Sequence, residues 1–452
     1  VLAASSSFGA NYFELIVTIP GGETSRAWGV SADGTVIVGD TGVGGVFPFR
    51  WCAGKTYLIP FPNGSIAMNT STSGDIIVGK YATNPSQEQV FRYDFVTGTN
   101  LLLDSITGIT TIDRVRCSDL GDAISFTGSG TAGTKGFYWR NGIGIPTTAN
   151  ELFGFSGATT HAAYGISPGG SRITGTSAPS FGNNGAIGCY WGWDGSSFGI
   201  PVDFRGNGQG LFQYPASHGY AVGGIGENYR YLVKAFYSAG STPHEAVIWT
   251  HSSSFKIIPK YQPGNEMTLQ ACSNDGKYYV GIEAVSGQNV SWYFDDTMDT
   301  KSEFKAMFPN PFPGSEFPNG YETESRILVT DVSSDGLTVV GYFTDLTPTV
   351  QRAFVGYFGD PVAVEDYFSV HPAPHQPASV SAPGVLRNDK RIGTATATLV
   401  TNAAHGSVTV NSNGSFSYQN DPWFYGKDSF TYKVTRGDGT ESISTVSLAV
   451  GP

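Results

Sequence analysis

Asp33, Asp275 and Asp335 recur in one local setting: Ser31-Ala32-Asp33-Gly34, Ser273-Asn274-Asp275-Gly276 and Ser333-Ser334-Asp335-Gly336. Two carboxylates held close together can perform general acid–base cleavage. Recurrence at equivalent places argues for another job. A short acid ahead of a glycine bonds its own backbone, while the glycine takes the positive φ that a tight turn demands. The histidines, His161, His218, His244, His251, His371, His375 and His405, show no H-E-x-x-H spacing. His371 and His375 stand among prolines and read as solvated loop. Cys52, Cys117, Cys189 and Cys272 form neither a C-x-x-C pair nor a zinc-like spacing. There is no G-x-S-x-G, phosphate loop or dinucleotide fingerprint.

The elements that hold these residues follow from composition. Of 452 residues, 40% are hydrophobic and only 14% charged, and there are 60 glycines. That is the profile of an all-β chain with many tight turns, long enough for more than one domain. A net charge of −11 leaves no basic stripe to release counterions, so nucleic acid is excluded as a partner. No apolar run reaches the length of a membrane span. The opening Val1-Leu2-Ala3-Ala4-Ser5 reads as the trimmed end of a signal peptide, so a secreted or cell-surface location is expected.

The chain repeats itself. Ala27-Trp28-Gly29-Val30-Ser31-Ala32-Asp33-Gly34-Thr35-Val36-Ile37-Val38-Gly39, closed by Phe49-Arg50-Trp51, returns with turn glycines at 74, 121, 170, 226, 276 and 336. The period of 40 to 60 residues suits a four-stranded propeller blade rather than a helical solenoid. Seven copies, the one near Val222–Gly226 degenerate, predict seven blades, the alternative being a six-bladed ring with an irregular insertion. Residues 12–19 precede the first copy and read as a strand, and the last copy stops after three. Strand 12–19 is therefore expected to pair near 352–358 and complete the last blade. Cys117 and Cys272 occupy the slot of Val30, Ile166 and Val332, and Cys189 that of Phe49 and Phe137. Free buried thiols are expected there rather than disulfides, because Cys117 and Cys272 lie three blades apart. Residues 20–358 resemble the repeats of bacterial extracellular proteins of the HAF type, a resemblance that implies a propeller and little about activity.

Composition shifts at Gly359-Asp360-Pro361, and alternating strands such as Gly406–Val410 and Asp428–Val434 follow. Gly384-Val385-Leu386-Arg387-Asn388-Asp389, His405-Gly406-Ser407, Asn413-Gly414-Ser415-Phe416-Ser417-Tyr418 and Gly426-Lys427-Asp428-Ser429-Phe430-Thr431-Tyr432 resemble bacterial cadherin-like or Ig-like domains of adhesins. Such relatives often bind Ca²⁺ through acidic clusters. Here Lys390-Arg391-Ile392-Gly393 stands where they place further aspartates, which counts against Ca²⁺. Asp366 and Asp389 are the candidate ligands if the ion binds, and no other cofactor is expected.

These readings combine into one expectation. The fold is all-β: a seven-bladed β-propeller over 1–359 and an Ig-like β-sandwich over 360–452. The loop 300–326, with Phe304, Phe308, Phe312, Phe317 and Tyr321 among prolines, is expected to be a contact surface, the alternative being that it folds down over the tunnel mouth or the neighbouring domain. Loops 40–46, 80–89 and 176–185 would share its face. The expected function is a non-enzymatic structural or adhesive protein of a bacterial surface, extracellular assembly or virion. Its partners would be other surface or assembly proteins, copies of itself, or glycans. A carbohydrate-binding propeller and a secreted polysaccharide-degrading enzyme are the alternatives, the latter requiring carboxylates that converge at the tunnel mouth.

Overall fold

The computed structural model describes residues 11–16, 24–42, 45–84, 87–142, 147–179, 187–199, 201–203, 219–225, 230–235, 245–250, 254–273, 275–286, 288–308, 327–344, 350–372 and 376–451. Among these there is no α-helix. Strands between residues 12 and 357 form seven four-stranded antiparallel sheets, each built from consecutive strands except the last. Their inner strands are Thr24–Val30, Ile66–Thr70, Thr111–Cys117, Ala158–Ile166, Gly219–Ile225, Glu266–Cys272 and Ile327–Val332. Each inner strand lies beside that of the next sheet, and Ile327–Val332 lies beside Thr24–Val30. The sheets thus radiate from an axis, as in a β-propeller.

The recurrent Ser and Asp build the hairpin between first and second strands. Ser31 Oγ donates to Asp33 Oδ1 at 2.5 Å and accepts the Val36 N–H at 2.9 Å. Ser273 with Asp275 and Tyr278, and Ser333 with Asp335 and Thr338, repeat it. Ser71, Ser118 and Ser167 accept the equivalent N–H even where the acid is displaced or missing. These carboxylates serve turns, as their spacing predicts.

Two further sets of bonds join neighbouring sheets. The hairpins form a belt in which each donates a backbone N–H to the next: Ser334 to Ala32 O, Asp33 to Thr72 O, Thr72 to Asp119 O and Asp119 to Pro168 O. On third strands, Arg50, Arg92 and Arg140 reach the turn-glycine carbonyls of Gly74, Gly121 and Gly170 at 3.1, 2.7 and 2.9 Å. In the sixth sheet Tyr293 replaces arginine and donates to Gly336 O at 3.0 Å.

The N-terminal strand Tyr12–Leu15 is the outer strand of the last sheet and pairs with Gln351–Tyr357, from Tyr12↔Tyr357 to Leu15↔Phe354. Residues 17–19 lie outside the described residues. Phe13 brings an aromatic cluster with it. Phe308 sits 5.9 Å from Phe13, 5.0 Å from Phe304 and 5.2 Å from Phe358 by ring centroids. This corrects the expectation for the contact loop. Phe304 and Phe308 are 1% and 2% exposed, because Thr300–Glu303 is the fourth strand of its sheet and the short 3-10 turn Lys305–Met307 folds them inward. Phe312, Phe317 and Tyr321 lie outside the described residues.

Beyond Gly359 two sheets pack face to face. One has the order Asp366–Val370, Glu441–Val450, Gly426–Thr435, Thr396–Thr401, its first pair parallel. The other joins Ala378–Val380, Phe416–Asn420 and Gly406–Val410. Phe416, Tyr418, Phe430, Tyr432, Val434 and Leu448 fill the space between them. This sandwich rests against the propeller. The Thr394 N–H donates to Glu14 Oε2 at 2.8 Å, Arg436 lies 4.8 Å over the Tyr12 ring, and Arg391 pairs with Asp335 at 3.5 Å.

Candidate functional site

The inner strands share an irregularity that places side chains on the axis. One extra residue interrupts the pairing of first and second strands between Ala27 and Gly29, Ala67 and Asn69, Asp113 and Arg116, Ala163 and Gly165, Leu269 and Ala271, and Val329 and Asp331. A bulge sharpens the twist and re-aims the residue after it. That residue is glycine or alanine in three of these sheets and Asn69, Arg116 or Asp331 in the others. All except Gly29 border one axial cavity, closed in also by Val30, Ile166, Cys117, Cys272 and Val332. Room for water centres within it is about 60 Å³.

The polar groups are partly committed to the ring. Asp331 Oδ2 accepts the Val30 N–H of the next sheet at 3.1 Å, and Oδ1 accepts the Val332 N–H at 3.0 Å. Asn69 Oδ1 accepts the Cys117 N–H at 3.0 Å. Arg116 Nη1 donates to Met68 O at 2.9 Å and to Val115 O at 3.4 Å, and among the described residues its other N–H groups meet no acceptor. Burial pushes the Asp331 carboxyl up to about 6, against the pull of the Arg116 guanidinium. Burial lowers Arg116 in turn, and Asp331 opposes that shift. The Cys117 thiol, held up to about 12 by burial, stays protonated and is a poor nucleophile. Thr72, whose buried hydroxyl has no partner, and Asp119 stand at the hairpin end of the same cavity. The arrangement offers opposite charges and both kinds of hydrogen-bonding group to one small molecule.

Sequence reasoning placed Cys117 and Cys272 in this ring but passed over the residue before each. The signal lay in the same alignment: the column Gly29, Asn69, Arg116, Gly165, Ala271, Asp331 is small except where it is charged or amidic. Among the described residues no disulfide joins the four cysteines.

The sandwich brings Asp366 and Asp389 together. Tyr432 Oη donates to Asp389 Oδ1 at 2.8 Å and also bonds Asp366, and the Val364 N–H reaches Asp389 Oδ1 at 2.7 Å. Asp366 Oδ2, Asp389 Oδ2 and the adjacent Asn388 Oδ1 are buried with no hydrogen-bond partner. Burial, and for Asp366 the neighbouring Asp389, push these carboxyls up to about 8 and about 7. Three orphaned hard oxygens suit Ca²⁺, which would take its remaining ligands from backbone carbonyls and water. Among the described residues no cluster of three or more His, Cys, Asp or Glu is placed to hold a metal.

Comparison with known proteins supports both halves. Residues 359–452 match the family model for the bacterial cadherin-like domain. The β-propeller domain of the Trilobed protease from Pyrococcus furiosus is similar at 9% identity and TM-score 0.50, over 76% of this chain and 95% of that one. Oligogalacturonate lyase from Vibrio parahaemolyticus is similar at 10% and 0.50, over 77% and 97%. An oligogalacturonate lyase in complex with manganese is similar at 8% and 0.51, over 78% and 94%. No curated protein matches the chain. At such identities the likeness is one of fold and establishes no activity. It does overturn the expectation of a non-enzymatic structural or adhesive protein, since propellers of this shape include lyases and architecture gives no ground for setting catalysis aside. Among the described residues no helix is long and apolar enough to cross a membrane.

Proposed function

We propose that this chain is a surface or extracellular ligand-binding propeller that takes a small polar molecule on its axis. One observation carries the reading. A position held by Gly165 and Ala271 in two sheets becomes Asn69, Arg116 and Asp331 in three others, and these polar groups border a single cavity. Polar side chains enclosed by protein cost desolvation, which the polar groups of a bound ligand offset. The seven sheets are read as the blades of one closed ring spanning residues 1–359, with the sandwich as residues 360–452. The cadherin-like match supports the location. Asp119 and Asp331 both line the cavity, so turnover is measured alongside binding.

The test is a thermal-shift and calorimetric screen of the whole chain against neutral, anionic, cationic and zwitterionic small molecules. Ala271→Phe fills the cavity while leaving every charged side chain in the sequence. Ligand stabilisation present in the wild type and lost in Ala271→Phe is the expected result. Hits that survive this substitution, or no hit across all four classes, would remove the reading.

A second reading concerns the sandwich, where the three orphaned oxygens favour a bound Ca²⁺ held by Asp366, Asn388 and Asp389.

A further inference from the structure

We infer that the axial cavity is built for a small zwitterion of the α-amino-acid class, with its carboxylate on Arg116 and its ammonium on Asp331. This rests on the axial cavity being the ligand site, and it names what that site recognises.

Arg116 and Asp331 come from the third and seventh sheets and feel each other's charge, yet no ion pair joins them among the described residues. Opposite charges enclosed by protein and held out of contact bear the desolvation cost without the full attraction that offsets it. A molecule carrying both charges completes the circuit. Arginine has five N–H donors in a planar fork suited to a carboxylate, and among the described residues only Nη1 is engaged. Each Asp331 oxygen takes one backbone N–H and keeps a lone pair for an ammonium. Thr72, with its unpartnered hydroxyl, is a further acceptor nearby.

Charge and size narrow the class. With Asp119 the described lining carries one positive and two negative side chains, which disfavours a plain anion such as phosphate or a uronate. A plain cation leaves the Arg116 fork unmet, and a neutral sugar neutralises neither charge. The cavity's room for water centres, about 60 Å³, admits several waters and so a molecule as small as glycine, alanine or serine. Val30, Ile166, Ala271 and Val332 supply a wall for a small side chain.

The experiment is titration calorimetry of the full chain at pH 7.5 with glycine, L-alanine and L-serine. Acetate, methylammonium and methyl β-glucoside serve as single-charge and neutral probes. At least one amino acid is expected to bind ten-fold or more tightly than either half-ligand. Asp331→Asn, whose amide oxygen still accepts the Val30 N–H, and Arg116→Met should each weaken it at least ten-fold. Should Arg116→Met fail to fold, Ala271→Phe gives the same loss with every charge in place. Protonation of Asp331 removes the anion that meets the ammonium, so binding weakens as pH falls through about 6. Arg116, Asp119, Cys117 and Cys272 also face the cavity, and burial keeps the Cys117 thiol protonated. If acetate or the glucoside binds as tightly as the amino acids in an Ala271→Phe-sensitive way, the cavity stands and the zwitterion is overturned. If no probe of any class binds in that way, both fail.

Discussion

Asp366 and Asp389 share one phenol, that of Tyr432, and each keeps an oxygen with nothing to accept from. In the unfolded chain both titrate near 4. Folded, they titrate at about 8 and about 7. The native state therefore binds more protons than the unfolded state between those limits, so stability falls as pH rises from about 4 and levels off above about 8. In chelator, the melting temperature of the sandwich is expected to drop by several degrees between pH 5 and pH 9. Asp366→Asn should flatten that slope. Millimolar Ca²⁺ should restore the wild type at pH 8 and leave Asp366→Asn largely unmoved. A wild-type slope equal to that of Asp366→Asn would show that the pair is not buried together as described. Asp389 was legible in the sequence through the Gly-Val-Leu-Arg-Asn-Asp wording, and Asp366 only as an acidic residue of the same domain. Asn388 was not singled out, because an amide beside an acid carries no signal until burial strips its oxygen of water. Arg116 and Asp331 were hidden in another way. Eighty-six percent of the residues in the chain are uncharged, but a lone charge becomes meaningful only once strand register puts it on the axis.

At the scale of elements the repeat was plainly legible, because its turn chemistry is local. Ser-x-Asp-Gly fixes a hairpin within six residues, and the glycines at 34, 74, 121, 170, 276 and 336 all take φ between +65° and +77°. What the repeat did not disclose is how sheets are tied to one another. Arg50 and Arg92 sit in Phe-Arg-Trp and Phe-Arg-Tyr, which read as strand residues, and their partners are carbonyls of the following sheet. Charge-assisted bonds of this kind contribute about 1.5–3 kcal/mol each. Arg92→Met keeps the stem and removes the donor, so a loss near the middle of that range is expected in chemical unfolding. An unchanged unfolding midpoint would show the bond to be idle. Gly39 tests the same joint from inside one sheet. A Cβ there would stand 1.9 Å from the Arg26 carbonyl oxygen and 2.8 Å from the Phe49 ring, both in the bulged region. Gly39→Ala should therefore cost more than Arg92→Met, because backbone on one side and a packed aromatic on the other leave no room to yield. The bulge was invisible in the sequence, since an inserted residue in a seven-residue strand leaves the apolar pattern nearly intact.

The whole molecule has one seam, where a four-residue strand from the N-terminus completes a sheet made by residues more than three hundred positions later. Strand pairing of that length is weak by itself, and it must offset the cost of closing a very long loop. The sandwich supplies what the strand lacks. Its chain departs from the strand Gln351–Tyr357, the one that Tyr12–Leu15 pairs with, so it is delivered beside the seam. Thr394 bonds Glu14 through both its N–H and its hydroxyl, and Arg436 covers Tyr12 while its guanidinium is held by Gly359 O and Asp438. Arg387 and Arg391 reach the hairpins of the second and seventh sheets at Asp75 and Asp335. A ring whose ends are pinned by a separate domain should open at the seam when the pin is drawn. Glu14→Ala removes the acceptor for Thr394 without altering the propeller core. Loss of charge-assisted bonds worth about 1.5–3 kcal/mol corresponds to amide exchange in residues 12–15 faster by roughly ten- to a hundred-fold. The inner strands should keep wild-type protection. Glu14→Gln, which retains an acceptor, should fall between the two. Should exchange at 12–15 stay at the wild-type rate in Glu14→Ala, the strand holds the ring alone and the sandwich merely leans on it.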